Sequence, residues 1–156
     1  MKYNKNTAAD LAVIADETKI FFLEGADRFS ILKELFSKLK DKSAFTNRQV
    51  VEKELFEREA LMSTGIGCGI AFPHVRSKNV LKFQAVLGII PRGTAWETFD
   101  RLPVQIVVLL TVPENQHEEY LGFLSCLGAV LKDEKKRKQI ISSCTEQEVV
   151  KIIRPF

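Results

Sequence analysis

Cysteine is sparse in this chain and nothing in the spacing pairs it. Cys68, Cys126 and Cys144 are odd in number and far apart, and no Cys-x-x-Cys occurs. That leaves neither a disulfide framework nor a zinc-site spacing, so no metal is expected. A reducing, cytoplasmic setting is the simplest expectation. An excess of one charge is also missing. Lys and Arg total 23 against 20 Asp and Glu, a net +3, without the concentrated basic face that would point to a nucleic-acid partner. There is no long apolar run either. The longest, near Val104–Val112, falls well short of the ~20 residues that cross a bilayer, so direct membrane insertion is not expected. The N-terminus, MKYNKNTAADLAVIADE, lacks the apolar centre of a signal peptide. Internal repeats, low-complexity tracts and linkers are absent as well.

What is present suits one soluble domain with a real core: 156 residues, 46% apolar and 28% charged. Residues 1–17 read as a loose N-terminal extension with a short apolar patch at Leu11–Ile14, and residues 18–156 as the domain. Lys19–Leu23 reads as a strand ended by Glu24-Gly25. Asp27 caps a helix over Arg28–Lys40, with Ile31, Leu32, Leu35, Phe36 and Leu39 on one face. Thr46-x-x-Gln49 reads as a capping box for a second helix to about Met62, whose buried face is Val50, Val51, Leu55 and Leu61. Ile70–Phe72 is a short strand, and Lys82–Ile90 a longer one closed by a Pro91-Arg92-Gly93 turn. Val104–Val112 is near-continuously apolar and β-branched, as a strand buried on both faces should be. A helix follows from about Glu118 to Leu131, with Leu121, Leu124, Leu127, Val130 and Leu131 on its apolar side. Asp133 caps a short helix to about Ile141. Thr145-x-x-Glu148 opens a last one carrying Val149, Val150, Ile152 and Ile153. About four to five strands and five helices in mixed order predict an α/β domain with three α/β/α layers around a mixed sheet. Some antiparallel pairing is expected, because the strands after Met62 lack long helices between them.

The chemistry concentrates in Arg58–Arg76, REALMSTGIGCGIAFPHVR. His74 follows Pro73, whose ring removes one N–H and restricts φ, and so helps fix the loop that presents the imidazole. Neutral imidazole is a good nucleophile near neutral pH, and attack on a phosphoryl donor gives a phosphohistidine. Such a transfer needs positive charge and hydrogen-bond donors around three equatorial oxygens. The segment carries each type: Arg58 and Arg76, the hydroxyls of Ser63 and Thr64, and the backbone at Gly65, Gly67 and Gly69. Taken singly these features have plain alternatives: a lone histidine is usually a surface or core residue, and alternating glycines are common in turns. The glycines form neither a P-loop nor a dinucleotide fingerprint.

Taken together, Ser-Thr-Gly-Ile-Gly-x-Gly-Ile-Ala-x-Pro-His preceded by Arg-Glu resembles the active-site signature of a known family. It is that of the enzyme IIA domains of the fructose/mannitol class in the bacterial phosphoenolpyruvate-dependent phosphotransferase system, including their stand-alone nitrogen-regulatory branch. Phe99-Asp100-x-x-Pro103-Val104, Val112-Pro113, and Leu121-x-x-Leu124 with Gly128 and Leu131 extend the resemblance from about residue 18 to the end. It implies the mannitol-type IIA fold and a cofactor-free phosphocarrier. His74 would accept phosphate on Nε2 from an HPr-like phosphocarrier. Arg58 would hold the phosphoryl oxygens, Ser63 or Thr64 would donate to them, and Gly65, Gly67 and Arg76 would shape the anion site. The onward partner would be a IIB domain, as in sugar transport, or a regulatory target protein. The lack of a fused IIB or IIC segment favours regulation modestly.

Three departures stand out. Val75 replaces a usual glycine, and its Cβ would tighten the loop or limit approach of the carrier. Cys68 replaces a polar residue and reads as a small buried or half-exposed thiol. Tyr120 occupies the place of the family's second histidine, with His117 about one helical turn earlier, either reaching the site or lying on the surface. Two rival readings follow. One is a non-phosphorylated regulatory binding module of the same fold, and the other a Cys68-dependent hydrolase. Elsewhere Lys132–Lys138 reads as a solvated helix face, Glu57 and Glu59 as helix-surface carboxylates, and Trp96 and Phe99 as packing residues.

Overall fold

The computed structural model describes residues 19–25 and 27–154, so the extension read at residues 1–17 lies outside the described residues. Its elements in chain order are β1 (Ile20–Phe22), α1 (Arg28–Ser37), α2 (Arg48–Leu61), β2 (Gly65–Gly67), β3 (Ile70–Ala71) and β4 (His74–Ser77). Then come β5 (Gln84–Thr94), β6 (Val104–Pro113), α3 (His117–Leu131), α4 (Glu134–Ser142) and α5 (Glu146–Ile153), with a 3-10 turn at Lys42–Ala44. The fold is the three-layer α/β arrangement expected, with a mixed sheet.

β6 runs through the middle of that sheet. β5 pairs with it antiparallel, and β1 adds to β5 in parallel. On the other side β3 and β4 both run parallel to β6, and β2 closes that edge antiparallel to β3. Side chains of β6 alternate between the two faces, as the period of a strand requires. Ile106, Val108 and Leu110 pack under α3, α4 and α5 against Phe123, Leu127, Ile140 and Val149. Val107 and Leu109 pack under α1 and α2 against Leu32, Leu35, Phe36, Val51 and Leu55. Burying a side chain of this size contributes roughly 1.5–3 kcal/mol relative to exposure. The strand predicted to be buried on both faces is therefore the axis of the whole domain.

β3 and β4 run on as one strand beside β6, with an interruption. Ile70 faces Ile106 and His74 faces Leu110, so the register with β6 is unbroken across Phe72-Pro73. Pairing lapses there because proline has no N–H to donate, although its carbonyl still accepts from Leu110 N–H at 3.0 Å. His74 thus begins a strand rather than sitting in a loop. β2 is Gly-Ile-Gly and β4 has four mostly polar residues, so neither shows a strand pattern, and the sheet has six strands where four to five were expected. Pro91-Arg92-Gly93 is a bulge and not a turn. β5 continues to Thr94 with a register shift after Ile89, and Gly93 takes φ +75°.

Capping explains the helix starts, with adjustments. Asp27 accepts from Ser30 N–H at 2.9 Å and caps α1, which ends at Ser37, earlier than expected. For α2 the cap is Asn47, which accepts from Val50 N–H at 3.2 Å, while the Thr46 hydroxyl turns away to the Asn79 amide oxygen at 3.0 Å. The buried stripe of α2 is Val51, Leu55 and Glu59, with Val50 and Leu61 exposed. In α3 Phe123 takes the central buried place, and Leu121 and Leu124 are half-buried. Asp133 caps α4 and Thr145 caps α5 as expected. The Glu148 carboxylate reaches back to Cys144 N–H at 2.9 Å instead of the cap's own N–H. The charged face of α4 is largely exposed.

Candidate active site

His74 is held by the interruption in its strand. The ring is half-buried, and its Nδ1 lies 2.9 Å from the carbonyl oxygen of Phe72. A carbonyl only accepts, so the neutral ring carries its proton on Nδ1. Among the described residues no group hydrogen-bonds Nε2. That nitrogen keeps its lone pair. Burial lowers the pKa of His74 below the ordinary value of 6.5; the bond to Phe72 opposes this, the nearby Arg58 charge adds to it, and Glu59 opposes it. The ring is therefore neutral at physiological pH.

A cleft of about 380 Å³ opens beside it, lined by Glu54, Arg58, His74, Val75, Arg76, Val112, His117 and Tyr120. Arg58 comes from the last turn of α2 and donates to the Met62 carbonyl oxygen at 2.9 Å. Arg76 shares the strand face of His74, two residues on, and donates to His117 Nδ1 at 2.9 Å. His117, at the start of α3, is exposed but reaches the cleft through this contact. Tyr120 stacks obliquely between the two histidines, with ring centroids 5.4 Å from His74 and 5.9 Å from His117. Burial raises the Tyr120 pKa while Arg58 and Arg76 pull it down, which leaves a neutral hydroxyl at pH 7. Of the residues singled out in the sequence, His74, Arg58, Arg76, His117 and Tyr120 are brought together.

Ser63, Thr64, Gly65 and Gly67 do not line this cleft. The Ser63 hydroxyl donates to the Glu97 carbonyl oxygen and accepts from Gly65 N–H at 3.1 Å. Thr64 is buried and its hydroxyl donates to Glu59 at 2.6 Å. The hydroxyls offered as phosphate donors are thus engaged in holding loops. At Gly67 φ is +88°, and a Cβ would meet the Phe99 ring at 2.7 Å. Asp100 ties this turn down by accepting from Cys68 N–H at 2.8 Å. That bond, with help from Leu102 N–H and the Thr98 hydroxyl, holds its carboxyl below the usual range. Cys68 itself is exposed, with φ 57°, and lies off the His74 cleft, so the half-buried thiol expected there is not found. The Val75 side chain is turned into the core under α1 and α2 and is 4% exposed.

Two acidic residues were missed. Glu54 lines the cleft and accepts from the Ser77 hydroxyl at 3.1 Å. Glu59, read as a surface carboxylate, is 1% exposed. Its place four residues after Leu55 and eight after Val51, on the buried stripe, is the signal that would have found it. Trp96 is buried, as read, but its Nε1–H also donates to Glu59 at 3.1 Å. Phe99, read as packing, is 84% exposed. Among the described residues no group of three or more His, Cys, Asp or Glu is placed to hold a metal, and no helix is long and apolar enough to cross a membrane.

A family model, "Phosphoenolpyruvate-dependent sugar phosphotransferase system, EIIA 2", matches residues 13–155. The chain belongs to this family. Among its relatives, the nitrogen regulatory protein of Bradyrhizobium diazoefficiens is 27% identical over 90% of this chain and 92% of its own length. The nitrogen regulatory protein of Escherichia coli is 31% identical over 77% and 74%. The fructose-specific EIIABC component of Bacillus subtilis is 28% identical over 84% of this chain, and the match spans only 21% of that larger protein. Among solved structures, nitrogen regulatory protein IIA-Ntr from Neisseria meningitidis superimposes with a TM-score of 0.81 at 26% identity, covering 91% of this chain and 97% of that one. The fold of this EIIA 2 chain is also that of IIA mannitol from Escherichia coli, with a TM-score of 0.75 at 22% identity over 88% and 97%.

Proposed function

We propose that this EIIA 2 chain is a histidine phosphocarrier, with His74 Nε2 as the atom that is phosphorylated. The observation that carries the reading is the Nδ1–H···O=C bond to Phe72, which leaves the Nε2 lone pair free in a cleft with two arginines. An HPr-like phosphohistidine protein presents the phosphoryl group. Its P–N bond breaks, the electron pair returns to the donor imidazole, and the Nε2–P bond forms. The His74 ring becomes a phosphoimidazolium whose charge strengthens the hydrogen bond to Phe72, as a carboxylate stabilises the imidazolium in a hydrolase triad. Arg58 and Arg76 exchange their resting acceptors for phosphoryl oxygens, and the Tyr120 hydroxyl adds a donor. A phosphoimidazolium is also a good leaving group, so the same bond favours the reverse and onward steps.

The onward acceptor is a IIB domain or, in a nitrogen-regulatory role, the phosphorylation state itself is read by a target protein. Both kinds of relative support this pair of outlets. A IIA mannitol domain has also been solved in complex with a phosphorylated IIB partner. The protein works in the cytoplasm. Val75 and the absence of a second histidine at Tyr120 motivated the binding-module reading; the Val75 side chain packs into the core at the cleft wall, and His117 reaches the rim through Arg76.

Intact-mass spectrometry after incubation with phosphoenolpyruvate, enzyme I and an HPr-like carrier tests the proposal. A gain of one phosphoryl group, acid-labile and absent in His74→Ala, is expected. No gain with a carrier shown to be competent on another acceptor would overturn it and leave a binding module.

A further inference from the structure

Arg58 and Glu59 are neighbours in sequence and face opposite ways. Arg58 lines the cleft; Glu59 points into the interior between α2 and the strand edge. One oxygen of the Glu59 carboxylate accepts from Thr64 N–H at 3.1 Å and from Trp96 Nε1–H at 3.1 Å, and the other accepts from the Thr64 hydroxyl at 2.6 Å. The Arg28 guanidinium lies 3.7 Å away. A buried charge is tolerated only with such partners, and their cost is justified where geometry must be unique. Thr64 is clamped through both its backbone and its side chain. Its carbonyl oxygen then accepts from Phe72 N–H at 3.1 Å. Phe72 precedes Pro73, which restricts it to extended backbone. Its own carbonyl oxygen accepts from His74 Nδ1 at 2.9 Å.

We infer that Glu59 is a positioning residue for His74: the buried carboxylate fixes Thr64, Thr64 fixes Phe72, and Phe72 keeps the imidazole proton on Nδ1 so that Nε2 is the attacking atom. Glu59 touches neither the imidazole nor the phosphoryl group in this scheme. Its charge also favours a cationic ring, opposing burial and Arg58, and so favours the phosphoimidazolium when it forms. The carboxylate thus acts on the nucleophile through a chain of three residues, from outside the cleft.

The inference rests on His74 being the phosphoryl acceptor, but the tautomer can be read with no phosphate present. With only two histidines, long-range ¹H–¹⁵N ring spectra of the full chain resolve each ring. Wild type should show His74 protonated on Nδ1. Glu59→Gln and Thr64→Val should move part of the population to the Nε2–H form. They should also slow phosphorylation at saturating carrier about tenfold, roughly the net worth of one hydrogen bond, with KM for the carrier unchanged. Thr64→Ser keeps the hydroxyl and should restore both. If Glu59→Gln fails to fold because Arg28 keeps only the exposed Glu97 as partner, the Thr64 pair carries the test. A folded Thr64→Val with the wild-type tautomer overturns the inference, whether or not its rate falls, and so does a wild-type ring protonated on Nε2. A shifted tautomer in a protein that takes no phosphate would uphold the positioning role and overturn the phosphocarrier reading instead.

Discussion

Residues 63–69 and residues 74–76 lie on the same edge of the sheet, within one short motif, yet they turn their polar groups in opposite directions. In the first stretch the Ser63 and Thr64 hydroxyls and the Cys68 N–H are all bonded to other parts of the fold, at Glu97, Glu59 and Asp100. In the second, His74 and Arg76 share one strand face and open onto a cleft with Arg58, Tyr120 and His117. The difference shows that a motif read as one anion site is two devices. The Ser63 and Thr64 hydroxyls and the Cys68 N–H are engaged within the fold, and the proposed phosphoryl acceptor stands beside them. Substitutions should therefore fail differently: in rate at the cleft, in stability at the Gly67 turn, and at Thr64, which holds Phe72, in rate through the His74 tautomer.

The largest separation is expected at Arg58. Arg58→Ala removes the cation that completes the cleft, and phosphorylation of His74 should slow about a hundredfold, the usual effect of losing one charge-stabilising donor. Its unfolding midpoint should stay near that of wild type. A fall of less than about threefold would place the charge stabilisation elsewhere. Gly67→Ala tests the other stretch. A Cβ at φ +88° and 2.7 Å from the Phe99 ring should cost about 2 kcal/mol in urea unfolding, while the folded fraction still accepts phosphate at an ordinary rate. An unchanged midpoint would contradict the scaffold role.

A pH titration gives a third, smaller contrast. His74 should titrate below 6.5, chiefly because burial disfavours the charged ring, and the acid limb of phosphorylation should follow it. A lowered folded-state value means that the stability held by the neutral ring is complete above the ordinary histidine pKa. It is lost as pH falls from there through the folded value. Ring NMR shifts measure this directly, and Arg58→Ala should raise the value. A His74 titrating at or above 6.5 would contradict the burial argument. The smallest effect is expected at His117. Its contact with Arg76 is exposed and worth under about 1 kcal/mol, so His117→Ala should change the phosphorylation rate by less than about fivefold. A larger loss would move His117 from the rim into the chemistry.

Much of the fold was legible because apolar period and caps carried it. The near-continuous apolar run Val104–Val112 marked the sheet's axis, Ile31 to Leu39 marked α1, and Asp133 and Thr145 marked two helix starts. Strands of two to four residues with polar or glycine content escaped, as β2 and β4 show. They are stabilised by their pairing with neighbours and not by any pattern of their own. The cap at Asn47 was missed because two adjacent residues both suit that role, and only tertiary context sends Thr46 to Asn79. In the cleft the residue types His74, Arg58, Arg76, His117 and Tyr120 were legible from the motif and its resemblance. The employment of Ser63 and Thr64 was not, because a hydroxyl near a histidine in sequence says nothing about which acceptor it faces. Glu59 was obscured by its neighbours: Glu57 and Arg58 made it look like surface, although its spacing from Val51 and Leu55 placed it inside.

The central claim is that Nε2 of His74 is the reactive atom because Phe72 holds the proton on Nδ1. It is tested most directly by ¹⁵N ring spectra of the protein after phosphorylation through an HPr-like carrier. The account predicts a phosphoryl group bonded to Nε2 of His74, with His117 unmodified. A phosphoryl group on Nδ1 of His74, or on His117, would contradict it.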